Sequence, residues 1–136
     1  MARLGTKITI VGIRTVPTHD LNEELQWMGN ALGLFSERDK EKSCFRIFIE
    51  LLRSTKHNNA LTSDELALRL SLARGTVVHH LNKLMEAHLV GMNRKAYILR
   101  YAELERVIAE VEEDSRRLFN QMKVLAKIID KKMDQP

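Results

Sequence analysis

The chain has 136 residues, of which 44% are hydrophobic and 5% aromatic, and its formal net charge is +4. This composition indicates a single globular domain spanning residues 1–136, and it excludes an intrinsically disordered chain. The sequence shows no signal peptide and no run near the roughly 18 apolar residues of a membrane helix. A lone cysteine, Cys44, cannot form an intrachain disulfide, so we expect a cytoplasmic protein.

Residues 1–20 are predicted to form an amino-terminal arm. Within it, residues 7–16 are β-branched and partly alternating, which predicts a strand that Pro17 ends. Asp20 can cap a first helix over residues 21–34, whose apolar residues fall on one stripe.

A second helix is predicted to begin at a cap-like pair, Ser36 with Asp39, and to run through Arg53. Its apolar residues are spread too widely for a surface helix, so we expect the central core helix here. Cys44 lies in this helix and is expected to be a small buried residue rather than a redox switch. Residues 54–60 are predicted to be a polar loop.

The next segment, residues 62–87, has the pattern of two short helices joined by a tight turn. Thr62 and Glu65 have capping-box spacing, and Ser-Leu-Ala precedes a helix over 74–87 whose inner face holds valine and leucine. Two short strands follow within residues 89–100, joined by Asn93-Arg94-Lys95. This order predicts a helix-turn-helix followed by a β-hairpin wing, which would complete a helical core over residues 21–101.

The tail, residues 102–133, is predicted to be one long helix. Apolar residues recur at alternating steps of four and three, interrupted by Ser115, and define a heptad seam: Leu104, Ile108, Val111, Leu118, Met122, Leu125 and Ile129. The helix is longer than so small a core needs, which favours a homodimer through this helix. The alternative is that the seam folds back on the first helix of the same chain.

Positive charge is concentrated in residues 71–100, where five basic residues face Glu86 alone: Arg74, Lys83, Arg94, Lys95 and Arg100. A local basic patch is typical of a surface that binds a polyanion, although a solvated basic surface gives the same pattern.

Three short sequence segments within residues 61–101 resemble the sequences of the ArsR/SmtB-type winged-helix regulators. They are Asp64-Glu-Leu-Ala-Leu-Arg-Leu, Arg74-Gly-Thr-Val-Val-His-His-Leu-Asn-Lys-Leu and Glu86-Ala-His-Leu-Val. The resemblance implies a mainly α winged helix-turn-helix with a small β-hairpin wing and a long carboxy-terminal dimerisation helix. It also implies a regulator of transcription, expected to be a repressor, that binds a palindromic double-stranded DNA operator as a homodimer.

In this family the positions of Arg74, Gly75, Val78 and His79 face the major groove, and the helical period places Asn82 on the same side. Arg74 could contact a guanine edge or a phosphate, and Val78 a thymine methyl. The remaining candidates, better placed for the DNA backbone or the minor groove, are Thr76, Lys83, Arg94 and Lys95.

The sequence departs from the family pattern in a short wing, in the cap of the recognition helix and at the metal-ligand positions. Ala73 stands where the family often has a serine cap before the recognition helix. Thr62 and Asp64 stand where metal-sensing members have cysteine thiolates, and the last helix has no histidine. We therefore expect no metal effector and no cofactor.

Enzymatic function is not expected, because the sequence has no phosphate-binding glycine loop, nucleophile elbow or metal-ligand spacing. Adjacent His79 and His80 diverge on a helix, so we expect His79 at the DNA and His80 packed and hydrogen-bonded in the core. Three functions stay open at this point. The first is a dimeric sequence-specific repressor. The second is a winged-helix module for protein–protein contact or non-specific architectural DNA binding. The third is a switch whose unknown small-molecule effector binds between helices near the dimer interface.

Overall fold

The computed structural model describes residues 6–12 and 15–135. The chain folds into five helices and three short strands in this order: α1 (Leu21–Ala31), α2 (Ser43–Lys56), β1 (Leu61–Thr62), α3 (Ser63–Leu70), α4 (Arg74–Glu86), β2 (Val90–Asn93), β3 (Ala96–Leu99) and α5 (Leu104–Met133). The strands form one antiparallel sheet in the order β1-β3-β2. The expectation of a mainly helical chain with a small β-hairpin is confirmed. No helix in the described part of the chain is long and apolar enough to cross a membrane.

The core is built around α2, as its broadly distributed apolar residues predict. Ile47 and Leu51 are fully buried and Phe48 is 1% exposed. α2 packs against α4, β3 and α3. One polar residue of α2 joins the core to the sheet: the hydroxyl of Thr55 donates to the carbonyl of Leu51 (2.6 Å) and accepts from the backbone N–H of Leu99 (3.0 Å). The buried N–H of Leu99 therefore has a hydrogen-bond partner, and the fold avoids the free-energy cost of burying it without one.

The prediction of a strand over residues 7–16 is wrong for the described part of that segment, because residues 7–12 and 15–16 form no strand. Ile13 and Arg14 lie outside the described residues. The segment is bonded to the ends of two helices instead. The N–H of Lys7 donates to the carbonyl of Glu86 and that of Val11 to the carbonyl of Ala31, both at 2.9 Å. Isolated bonds to helix ends fix an extended segment without the continuous ladder that defines a strand.

The amino terminus of α2 differs from the prediction. The helix begins at Ser43 rather than near Asp39, and the residue before it, Lys42, has a left-handed backbone (φ 56°). Asp39 is nevertheless a cap, because its two carboxylate oxygens accept the N–H groups of Ser43 and Cys44, each at 2.9 Å. The helix also runs on to Lys56, so the predicted polar loop is shorter than expected.

Four helices end in the same hydrogen-bonded motif, with a left-handed residue just past the helix: Gly33, Asn58, Ser71 and His88. After α4, for example, the N–H of His88 donates to the carbonyl of Met85 and that of Leu89 to the carbonyl of Leu84, both at 3.0 Å. This is the Schellman arrangement, in which glycine is the usual left-handed residue. It ends α1 at Ala31, three residues before the predicted boundary.

The predicted long helix is present as α5, and its two halves differ. Val107, Val111 and Asp114 in the first half are buried, whereas every described residue from Phe119 onward is exposed. Of the heptad seam, Leu104, Ile108 and Leu118 are half-buried, and the exposed members are Met122, Leu125 and Ile129. Folding back within one chain therefore accounts for the first half of the seam and leaves the second half uncovered.

Candidate functional site

The geometry of the site begins with α3 and α4. Both hydrogen bonds of the predicted capping box are present at 3.1 Å, between Thr62 and Glu65. A three-residue connection, residues 71–73, follows α3, and its first residue, Ser71, has a φ of 54°. Leu66 of α3 is fully buried, and so are Val77 and Leu81 of α4, which packs against α3. The opposite face of α4 is thereby fixed toward solvent.

The structure brings the candidate residues of α4 together on that outer face. Arg74, Gly75, His79, Asn82 and Lys83 are exposed, while Thr76 and Val78 are half-buried beside them. A Cβ atom placed on Gly75 would meet no heavy atom within 4 Å, so the surface around this residue is open. The predicted division of α4 into an inner and an outer face is confirmed by the burial pattern.

The β2–β3 hairpin places two cations at an exposed tip. Asn93 pairs with Ala96, and the two residues between them, Arg94 and Lys95, have φ values of 52° and 69°. A two-residue hairpin loop with both φ angles positive is a type I′ turn, which strongly favours Asn-Gly or Asp-Gly. A left-handed backbone costs a residue with a Cβ atom about 1–2 kcal/mol.

Ion pairing divides the basic residues of segment 71–100 into two groups. Nε of Arg74 lies 3.2 Å from Oδ1 of Asp64, and NH1 of Arg100 lies 2.6 Å from Oδ2 of Asp114. The other three form no ion pair within residues 6–12 and 15–135: Lys83, Arg94 and Lys95. The positive charge of this segment is therefore partly neutralised by ion pairs. The cations without an ion pair lie on α4 and at the hairpin tip.

The pair between Arg74 and Asp64 was not expected from the sequence. Both side chains are more than 70% exposed. An ion pair this accessible to water contributes little to stability and is easily exchanged for another anion. The guanidinium group of Arg74 can therefore leave Asp64 at little cost in free energy.

His80 is buried, as predicted, at 7% exposure, but its expected hydrogen bonding is not observed. Nε2 lies 3.7 Å from Oδ2 of Asp39, beyond hydrogen-bond distance, and Nδ1 has no partner among the described residues. Burial lowers the pKa of His80, although the carboxylate of Asp39 opposes this shift. At neutral pH His80 is therefore an uncharged side chain of the inner face of α4.

Cys44 is 6% exposed on the buried side of α2. Burial raises the pKa of Cys44 to about 11, against the smaller lowering effect of Lys83. The thiolate is the reactive form of cysteine, and a raised pKa disfavours it. The geometry thus agrees with the predicted packing role.

Sequence reasoning missed a polar cluster at the carboxyl end of α4. Nδ1 of His88 lies 2.7 Å from Oδ2 of Asp114, and Nε2 of His88 lies 3.0 Å from the hydroxyl of Thr6. Asp114 also accepts hydrogen bonds from Arg100 and Arg117. Three segments of the chain meet at this carboxylate, which is 4% exposed, and Thr6 joins the cluster through His88. The contributing residues are far apart in the chain and share no motif, so the sequence carried no signal for this cluster.

The order of Thr6, His88 and Asp114 is hydroxyl, imidazole and carboxylate, as in a hydrolase triad. In a triad the carboxylate stabilises the imidazolium that forms during catalysis. Here the carboxylate is already paired with two guanidinium groups, which weakens that effect. The arrangement favours a structural link between α4 and α5 over an activated nucleophile.

Within residues 6–12 and 15–135, no three His, Cys, Asp or Glu side chains lie close enough together to hold a metal ion. Thr62 forms the cap of α3, and Asp64 forms the ion pair with Arg74. Comparison with protein-family models, with curated proteins and with solved structures found no match to this chain.

Proposed function

We propose that the protein is a dimeric regulator of transcription that binds double-stranded DNA sequence-specifically and acts as a repressor. In this proposal α3, α4 and the β2–β3 hairpin form a winged helix-turn-helix, with α4 as the recognition helix. Two features support it. The sequence of residues 61–101 resembles the ArsR/SmtB-type regulators. The outer face of α4 is exposed and holds Arg74, in an exposed ion pair with Asp64, and Lys83, which forms no ion pair within the described residues.

The observation that carries the proposal is the hairpin tip. Arg94 and Lys95 both hold left-handed backbone conformations that glycine or asparagine would adopt at lower cost. Neither side chain forms an ion pair within the described part of the chain that would offset this cost. Backbone strain in a native protein concentrates at functional positions. Contact with phosphates gives a reason for two cations at this turn.

The exposed face of α4 supports specific contacts in the major groove. Arg74 at the start of the helix can give up its exposed pair with Asp64 and donate two hydrogen bonds to a guanine edge. Val78 can contact a thymine methyl, while His79 and Asn82 have donors and acceptors for base edges. Thr76 and Lys83 lie beside this row and suit phosphates, which fix the register of the helix on DNA.

The second half of α5 supports the homodimer. Its large apolar side chains are between 45% and 78% exposed: Phe119, Met122, Val124, Leu125, Ile128, Ile129 and Met133. An apolar face this continuous is typical of an interface rather than of a free surface. If the two α4 helices of a two-fold dimer enter successive major grooves, they lie about 34 Å apart, and the operator is then an inverted repeat with half-sites roughly 10 base pairs apart.

The proposal is tested by selecting bound sequences from randomised double-stranded DNA and then measuring affinity for the selected site. Arg74→Ala should weaken the selected site by about 1–3 kcal/mol and relax preference at one position of each half-site. Asp64→Asn should instead tighten binding, because it frees Arg74 and removes a carboxylate near the phosphates. Lys131→Ala, in the last turn of α5, removes one charge and serves as the control.

Two results would count against the proposal. If selection returns no preferred sequence, the protein is an architectural DNA-binding protein or a protein-interaction module. If Arg74→Ala weakens specific and non-specific DNA equally, Arg74 contacts phosphate only, and specificity must then come from Val78, His79 or DNA shape.

A further inference from the structure

An apolar cavity of about 320 Å³ lies between the amino-terminal segment, α1 and the first half of α5. Its volume is within the range of roughly 300–1,000 Å³ that is usual for small-molecule sites. Most of its wall is aliphatic or aromatic, from Ile10, Trp27, Met28, Ala31, Ile108 and Val111. A cavity lined in this way favours an apolar occupant over water.

Two polar atoms in the wall of this cavity are buried without a partner. Nε1 of the indole of Trp27 and the hydroxyl oxygen of Ser115 make no hydrogen bond to any residue that the structure describes. Native proteins satisfy nearly all buried polar groups, because a buried donor without a partner loses its hydrogen bonds to water and gains none. Both atoms are hydrogen-bond donors, so one acceptor group within the cavity could satisfy either or both.

We propose that this cavity binds a small, neutral, mostly apolar molecule with one acceptor oxygen, such as an aryl ketone. The apolar wall supplies the affinity, and the donors of Trp27 and Ser115 hold the oxygen. Glu112 is also among the residues that line the cavity, so a carboxylate ligand is disfavoured by charge repulsion.

A second copy of the chain is the other conceivable occupant. The exposed apolar side chains of α5 begin at Phe119, beyond the cavity, and provide a separate face for the dimer. A partner helix that entered the cavity through its heptad seam would present aliphatic side chains. Such side chains have no acceptor, so the indole N–H of Trp27 would stay without a hydrogen bond. A ligand with an acceptor removes that penalty.

The cavity also has a physical connection to the candidate DNA-binding face. Ser115 follows Asp114 on α5, and Asp114 is bonded to His88 at the end of α4. Any effect of a ligand on DNA binding rests on the proposed function, whereas binding at the cavity does not.

The test uses the full-length protein without DNA and three probes of nearly equal shape: acetophenone, ethylbenzene and benzoate. Trp27 is the one tryptophan of the chain, so its indole N–H gives a single side-chain signal in a proton–nitrogen NMR spectrum. Acetophenone should shift this signal downfield and give a saturable heat in calorimetry. Ethylbenzene, which has no acceptor, should bind about 2- to 10-fold more weakly and leave the indole proton less shifted. Benzoate should bind at least 10-fold more weakly than acetophenone.

Three variants separate the contributions. Ser115→Ala should reduce the affinity for acetophenone toward that for ethylbenzene and leave ethylbenzene unchanged. Glu112→Gln, at an exposed residue, should restore binding of benzoate. Ala31→Phe should fill the cavity and abolish binding of all three probes, with thermal unfolding checked to show that the variant is folded.

The proposal is overturned if acetophenone produces neither heat nor a shift of the Trp27 signal at millimolar concentration. It is also overturned if Ser115→Ala and Ala31→Phe leave its affinity unchanged, or if affinity falls as protein concentration rises, since a second copy would then fill the cavity. Absence of DNA binding in the selection experiment would not affect any of these results.

Discussion

Nδ1 of His88, in the left-handed position that ends α4, lies 2.7 Å from Oδ2 of Asp114 in the buried face of α5. The same carboxylate accepts a hydrogen bond from Arg100, which follows β3. One side chain of α5 thus holds the end of α4 and the end of the hairpin together. The orientation of the outer face of α4 relative to the hairpin tip depends on this junction.

Asp114→Asn is expected to destabilise the fold by about 2–3 kcal/mol at pH 7, because Arg100 and Arg117 lose a charged partner. Burial opposes ionisation of Asp114, but hydrogen bonds from Arg100 and His88 outweigh it and hold the pKa of Asp114 below its ordinary value of 3.8. A lowered pKa in the folded state gives stability that is present above the unfolded value and is lost as pH falls through the folded one.

The difference in unfolding free energy between wild type and Asp114→Asn should therefore shrink below about pH 4. Denaturant unfolding at pH 7 and pH 3 measures it. Asp130→Asn, on the exposed half of α5, is the control and should change stability little. An equal loss at both pH values would show that packing, and not the charge of Asp114, stabilises the junction.

Lys95→Gly should raise stability and weaken DNA binding at the same time. Glycine removes the left-handed strain at this turn, which is expected to add about 1 kcal/mol to the unfolding free energy. Loss of one cation at a phosphate should reduce affinity for all sequences and lower the slope of log affinity against log salt by about one. Thermal unfolding and a salt titration of DNA binding check the two effects.

Lys95→Asn is the matched variant, because asparagine tolerates the same backbone but also lacks the charge. It should behave like Lys95→Gly in DNA binding. If both variants bind DNA as the wild type does, the hairpin tip does not contact DNA, and the strain at Arg94 and Lys95 needs another explanation.

Leu125→Glu combined with Ile129→Glu should convert the dimer to a monomer, since both side chains lie on the exposed apolar face of α5. Lys123→Gln with Lys127→Gln changes the net charge by the same two units on the opposite face of the helix and should leave the dimer intact. Light scattering at micromolar concentration measures the mass of each variant. A wild-type chain that is monomeric at that concentration would remove the homodimer from the proposal.

Ala73→Ser should stabilise the protein by about 1 kcal/mol. Ala73 occupies the N-cap of α4 with an extended backbone (φ −66°, ψ 142°) and makes no side-chain cap bond. A serine hydroxyl there could accept one of the free N–H groups of the first turn. Thr62→Ala, which removes the existing cap of α3, should lose a similar amount. Chemical unfolding of both variants tests the pair, and no gain from serine would mean that the first turn of α4 is satisfied by water.

The features that the sequence predicted well depend on local patterns. The capping box of Thr62 and Glu65, the inner face of α4 and the length of α5 follow from spacing alone. The segment at residues 7–12 was predicted wrongly because β-branched residues favour an extended backbone but do not supply a pairing partner.

Long-range contacts account for the rest of what the sequence could not predict. His88 and Asp114 are 26 residues apart, and the cavity joins residues of α1 and α5 that are about 80 positions apart. No periodicity connects such positions. The left-handed residues Ser71 and His88 were missed for a related reason. Neither is the glycine that usually marks this motif, and the motif depends on where the helices end.

The uneven burial of α5 has a consequence for how the chain completes its folding. The helix rises about 45 Å over its 30 residues, and the half beyond Leu118 is supported only by its own backbone bonds. An isolated helix as short as this second half is only marginally stable in water. Its helicity and the association of two copies are therefore one coupled equilibrium: dilution should reduce the helical circular dichroism signal, and the last two turns should become the first site of proteolytic cleavage.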